Sequence, residues 1–140
     1  MEGSHLANTG ELLEFSAQQL VDCNVKFNNG CRGGHPIYAY RYYENTSAIL
    51  NDSYPFVSNV TGERSECRSD EMFMTDVNSV RYFGVKSGDI DAMKLALNFN
   101  PVSAMVEANK RFFKNYKSGV LATAKCGTTV DHSVLIVGWG

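Results

Sequence analysis

The sequence predicts an α+β fold, and three observations carry that expectation. Helix signals fill the first third of the chain, where Ser16-Ala17-Gln18-Gln19 has capping-box spacing and Pro36 opens an aromatic stretch. Strand signals dominate the last third and end in the apolar run Val134-Leu135-Ile136-Val137. Helices first and strands later is the order of a segregated α+β chain, not the alternation of an α/β one.

Taken in order, residues 1–8 read as the last turns of a helix entering from upstream, with Gly10 closing the following turn. The Ser16 cap predicts a short helix over 17–22. Asn28-Asn29-Gly30 is a turn, and Gly33-Gly34 is a second stretch of permissive backbone. Pro36 suits the first turn of a helix ending near Glu44, whose Tyr38, Ala39, Tyr42 and Tyr43 make one core-filling face. Residues 45–70 are polar and turn-rich, a long irregular surface excursion that needs a tether. A strand is expected over 77–85. Ile90, Met93, Ala96 and Leu97 then have helical spacing behind Ser87 or Asp89 as cap. Strands follow over 101–107 and 119–121, with a helical turn anchored by Phe112, Phe113 and Tyr116 between them. Residues 130–139 make the strongest strand, apolar on both faces and so expected at the centre of a sheet.

A chain of 140 residues can hold one domain with a core or two small lobes. Its 44% hydrophobic and 20% charged content is that of a globular protein. The net charge of −2, with basic residues between Arg64 and Lys117 interleaved with acids, removes the electrostatic case for nucleic acid. No apolar run approaches the roughly 20 residues of a membrane helix, and no apolar leader follows Met1. Two features nevertheless point to a secretory route. Asn45, Asn51 and Asn59 each head a glycosylation sequon, and the four cysteines suit an oxidising compartment. A targeting segment outside these residues reconciles the two. From counting alone, three full cysteine pairings stay open.

Of the three histidines, His5 and His35 occupy polar or turn contexts and read, by themselves, as surface residues. His132 opens the apolar strand after a polar turn. A histidine there is ordinarily structural, but its surroundings change the reading. Phe15-Ser16-Ala17-Gln18-Gln19-Leu20-Val21-Asp22-Cys23, Gly30-Cys31-Arg32-Gly33-Gly34, Ser53-Tyr54-Pro55-Phe56, Pro101-Val102-Ser103-Ala104-Met105 and Val130-Asp131-His132-Ser133 with Val137-Gly138-Trp139-Gly140 occur in that order. Together they resemble the papain family of cysteine peptidases, and its cathepsin L-like branch in particular, along essentially the whole chain.

The resemblance implies a papain-like two-lobed fold, a mainly helical lobe over 1–79 and a β-rich lobe over 80–140, truncated at both ends. It implies a cysteine endopeptidase in which a thiolate–imidazolium pair attacks the peptide bond, with His132 as the general acid/base. It further implies that Gly33 and Gly34 present backbone to an extended peptide or protein substrate. His35, Pro36, Met105, Val130 and Ser133 would line the main specificity pocket, with Asp131 tuning the pair's electrostatics. Met105 would favour a hydrophobic substrate side chain, whereas His35 stands where the family commonly has an aromatic or apolar residue. Cys23 would bond Cys67, leaving Cys31 and Cys126 to partners outside the chain. No cofactor or metal is implied. Cystatin-type inhibitors and a propeptide are the implied protein partners, for a monomer without a membrane span in a lysosome or vacuole or outside the cell. The family's nucleophile segment, C-G-x-C-W, matches no cysteine here, and its place would be just before Met1. The expectation is therefore a fragment that is inactive alone.

Asn29-Gly30-Cys31-Arg32-Gly33 also resembles the caspase nucleophile segment. That chemistry needs a histidine about 50 residues upstream, and only His5 precedes Cys31. Two other functions compete: an inactive papain-like homologue acting as a secreted binding or matrix protein, and a disulfide-stapled glycoprotein module. The first has little need of His132 and the glycine pair, and the second explains none of the ordered motifs.

Overall fold

The computed structural model describes residues 1–68, 75, 77, 81–123 and 125–140. They divide into two units, Met1–Gly84 and Val85–Gly140.

In the first unit, helix α1 (Glu2–Thr9) stops at Gly10, whose φ of 78° turns its N–H back onto the Leu6 carbonyl. Helix α2 (Ala17–Cys23) starts at Ser16, whose Oγ accepts from Gln19 N at 3.0 Å and donates to the Tyr54 carbonyl at 2.6 Å. The capping box forms only by half. Gln19 does not reach back to its cap, because its Oε1 accepts from Ile49 N and the Tyr43 hydroxyl while its Nε2 donates to Ser47 O and the Tyr42 hydroxyl. Gln18 is equally saturated: its Oε1 takes Val57 N and Ser58 N, and its Nε2 donates to Asp22 Oδ1 and Ser58 Oγ. Asp22 also accepts from Ser65 N and the Tyr54 hydroxyl, both at 2.7 Å.

These three side chains anchor the irregular excursion expected over 45–70, most of whose described residues are exposed. Ala48, Ile49, Tyr54 and Ser58 are buried, and a short helix α4 (Ser58–Thr61) forms within it. Its inward turns are held by polar side chains of α2, every one satisfied, while most of the segment faces water. Phe15, Tyr43 and Ala48 form the apolar core, with Leu13, Leu20, Tyr42 and Leu50 packed against it. The Cys23–Cys67 disulfide closes the segment across a separation of 44 residues. Helix α3 (Pro36–Tyr43) contributes Tyr43 to that core, but Tyr38 stacks on exposed Phe27 instead, so the aromatic face splits between core and surface. Of the strand expected over 77–85, residues 78–80 lie outside the described residues, and 77 and 81–85 form none.

The second unit opens with helix α5 (Ile90–Leu97), capped by Asp89 Oδ1 accepting from Ala92 N at 2.9 Å. Strand β1 (Val102–Val106), helix α6 (Arg111–Lys114) and strand β2 (His132–Ile136) follow. β1 and β2 pair antiparallel, Val102 facing Ile136 and Val106 facing His132. Residues 119–121 form no strand. Gly119 adopts φ 83° and accepts from the Tyr116 hydroxyl, while Ala122 N folds back onto the Val120 carbonyl. These local turns use the backbone groups a strand would offer, and no ladder partner is present among the described residues. Nor is β2 central: among the described residues it pairs with β1 alone, and Leu135 is 60% exposed. An apolar run shows what a strand can bury, not what covers it.

Candidate functional site

Two groups of residues singled out by the sequence are built by separate local devices. In the first unit, a 3₁₀ turn (Gly30–Arg32) delivers the chain to Gly33 at φ 98°, a conformation that favours glycine. Gly33 spends both backbone groups internally, donating to Gly30 O and accepting from Asn29 N. Gly34 does not: among the described residues its N–H and C=O carry no hydrogen bond. A Cβ there would clash with the Asn28 side chain, which would have to give up its place. Asn28 Oδ1 accepts from His35 N at 2.8 Å, so Asn28 holds the strand-like segment in place. His35 then caps α3, its Nδ1 accepting from Ile37 N at 3.3 Å, with Pro36 as the first helical residue.

In the second unit, His132 is exposed at the head of β2. Two carboxylates extend the ladder beyond it. Asp131 N donates to Val106 O at 2.9 Å, and Asp131 Oδ1 accepts from Ala108 N at 2.6 Å. Glu107 bonds Lys110 Nζ at 2.8 Å and accepts from Thr129 N at 3.1 Å. A Cβ at Gly127 would press on the Glu107 carboxylate and force it to shift. The Lys110 hydrogen bond holds the Glu107 carboxyl below its ordinary range, and Glu107 in turn raises Lys110. Ser133 Oγ lies 3.0 Å from Met105 Sδ across the ladder, and Val130 is half exposed. Met105 and Val130, Asp131, His132 and Ser133 are thus gathered at one ladder, and Gly33, Gly34, His35 and Pro36 at one turn.

Cys31 and Cys126 are free and exposed. Asn45 and Asn59 are exposed and Asn51 is half-buried. Among the described residues no three His, Cys, Asp or Glu side chains cluster as a metal would require, and no helix is long and apolar enough to cross a membrane. Sequence reasoning missed Asn28, Glu107 and Lys110. Glu107 and Lys110 stand at i,i+3 spacing, a weak signal. Asn28 gave none beyond its turn.

Comparison with known proteins places this geometry. The papain family cysteine protease profile matches residues 1–140. A probable cysteine protease of Arabidopsis thaliana, RD21C, is 38% identical over 141 residues, covering all of this chain and 30% of the relative. Cysteine proteinase COT44 of Brassica napus is 37% identical, again across the whole chain, over 42% of its length. The chain thus spans well under half of these curated relatives. Among solved structures, the Carica candamarcensis cysteine protease CMS1MS2 in complex with E-64 superposes with a TM-score of 0.86 at 37% identity, over 99% of this chain and 62% of that one. The proform of the ragweed pollen cysteine protease Amb a 11 gives 0.84 at 34%, over 99% and 41%. Mixed helix and sheet in this order is therefore the papain-like fold, and the chain belongs to the papain family of cysteine proteases.

Proposed function

We propose that these 140 residues are part of a cysteine endopeptidase, with His132 as its general acid/base and the nucleophile supplied from outside them. The observation that carries this reading is the family match along the whole chain. The imidazole of His132 takes the proton of a cysteine thiol, and the resulting thiolate adds to the substrate carbonyl carbon. The imidazolium returns that proton to the leaving amine, and water then hydrolyses the acyl-enzyme with His132 accepting a proton again. Asp131, fixed by Ala108 N, adds negative charge beside the imidazolium. Gly34, rather than Gly33, is the backbone that pairs with an extended peptide, since only its groups are free among the described residues. His35, Pro36, Met105, Val130 and Ser133 line the specificity pocket of the same reading.

Lobes over 1–79 and 80–140 are proposed, supported by the compact units Met1–Gly84 and Val85–Gly140. Propeptide and inhibitor partners are supported by the relatives solved as a proform and with E-64. Cystatin-type proteins are the inhibitors proposed, for a monomer in a vacuole or lysosome or outside the cell, glycosylated at exposed Asn45 and Asn59. None of its four cysteines stands in the nucleophile context, so the 140-residue chain is expected to be inactive. Loss of one member of such a pair costs roughly 10⁶-fold. Assay with a dipeptidyl-arginine fluorogenic substrate should give no turnover. Turnover blocked by an epoxide thiol inhibitor would contradict the reading.

A further inference from the structure

The surface beside Gly34 carries more cationic chemistry than a backbone-pairing strand requires. Residues 24–43 contain Lys26, Arg32 and Arg41, and of the acids flanking them Asp22 is buried and Glu44 acts on Arg41. The cations are organised by rings. Phe27, 56% exposed, stacks on Tyr38 with centroids 5.0 Å apart, and the His35 ring meets Tyr38 edge-on at 6.1 Å. Lys26 Nζ stands 5.4 Å from the Phe27 ring, and the Arg41 guanidinium 5.8 Å from that of Tyr38. The Tyr82 hydroxyl, bonded to Arg41 Nε at 3.3 Å, fixes the guanidinium further. Rings that hold ammonium and guanidinium groups in place lower the entropy lost when those groups meet an anion.

His35 adds direction. Its Nδ1 accepts from Ile37 N, so the neutral ring carries its proton on Nε2. The side chain next to Gly34 therefore presents a hydrogen-bond donor, where the resemblance leads one to expect an apolar wall. The free N–H and C=O of Gly34 provide the second, independent half of a peptide site.

We propose that Lys26, His35 and Arg41, on the platform of Phe27 and Tyr38, form a subsite for acidic side chains of a peptide aligned along Gly34. The inference rests on reading Gly34 as the substrate-pairing residue. It goes beyond that reading in naming the substrate class: peptides with Asp or Glu on the side of the scissile bond that pairs with Gly34. Such carboxylates accept from His35 Nε2–H, and the cations that flank the same ring platform add a longer-range attraction.

The test uses the full 140-residue chain, labelled with ¹⁵N, and three blocked peptides. These are acetyl-Val-Glu-Glu-Val-amide and its Gln-Gln and Lys-Lys counterparts, titrated at low salt while the Gly34 amide resonance is followed. The Glu peptide should shift that resonance and bind about fivefold more tightly than the Gln peptide, with the Lys peptide weakest and the difference fading as salt rises. Lys26→Gln with Arg41→Gln should remove most of the Glu peptide's advantage over the Gln peptide, together with its salt dependence. His35→Ser, which keeps an N-cap acceptor, should weaken the Glu peptide alone. Equal shifts of Gly34 by all three peptides would overturn the acidic subsite and leave the peptide-pairing reading standing. No shift of Gly34 by any peptide would overturn the pairing reading and the subsite with it. A Glu-selective interaction that perturbs Lys26 and Arg41 but not Gly34 would overturn the subsite as a substrate site.

Discussion

The two units of this chain are held together by different means. In Met1–Gly84, apolar Phe15, Tyr43, Ala48 and Ile49 are buried beside Gln18, Gln19 and Asp22, whose polar groups are satisfied. In Val85–Gly140, no described residue is buried, and Leu95, Phe99, Val120, Leu135 and Val137 are all more than half exposed. There the order comes from one two-stranded ladder and the Glu107 and Asp131 bonds that prolong it. A two-stranded ribbon is marginally stable alone. The proposed acid/base thus belongs to the less self-sufficient unit, and local opening there should precede loss of the first unit.

The largest test of that contrast is the disulfide. Replacing Cys23 and Cys67 by Ala should cost the first unit about 4 kcal/mol, from the entropy of a 44-residue loop. Urea unfolding read through tyrosine should register that loss, while Trp139, the chain's single tryptophan and part of the second unit, should not. Coincident transitions by both probes would break the comparison. Next comes Gln18→Leu, which strands Val57 N and Ser58 N and should cost about 2–3 kcal/mol, seen as faster exchange of the α2 amides. Helix caps sharpen the contrast at smaller scale. Ser16→Ala should cost about 2 kcal/mol because Ser16 also holds Tyr54, whereas exposed Asp89→Ala should cost about 0.5–1 kcal/mol.

The smallest effect is a divergence in pH response. Glu107 has its carboxyl lowered in the fold, chiefly by Lys110. Its contribution is present above the ordinary carboxylate value near ~4.3 and is lost as pH falls through the lower folded value. Burial raises the Tyr43 and Tyr54 phenols. Their contribution is present below the ordinary phenol value near ~10 and is lost as pH rises towards the folded values. Protection of the Thr129 amide, relative to its intrinsic exchange rate, should therefore fall on the acid side, and that of the Ile49 amide on the alkaline side. The reverse pattern would contradict the assignment of these groups.

Caps and periodicity were legible in the sequence because they are local. Ser16, Asp89 and Pro36 begin their helices where the residues predict, and Gly10 ends α1. What stayed hidden depends on partners remote in sequence. Gln19 looked like half a capping box, but Ile49 and Tyr43 claim it. Val120 looked like a strand residue, and a strand exists only with a neighbour. At the candidate site, the glycine pair was visible and the division between its members was not. That division comes from Asn29 and Gly30, whose backbone groups occupy Gly33, while Asn28 bonds His35 N and Gly34 stays free among the described residues.

The most direct test of the central claim places these 140 residues in a protein that can supply a nucleophile. In a chimera they would replace the matching stretch of the Carica candamarcensis protease, and kcat/KM would be measured with and without His132→Ala. The account predicts an active chimera whose activity falls by about 10⁴-fold or more on that substitution. A folded, active chimera indifferent to His132→Ala would contradict it.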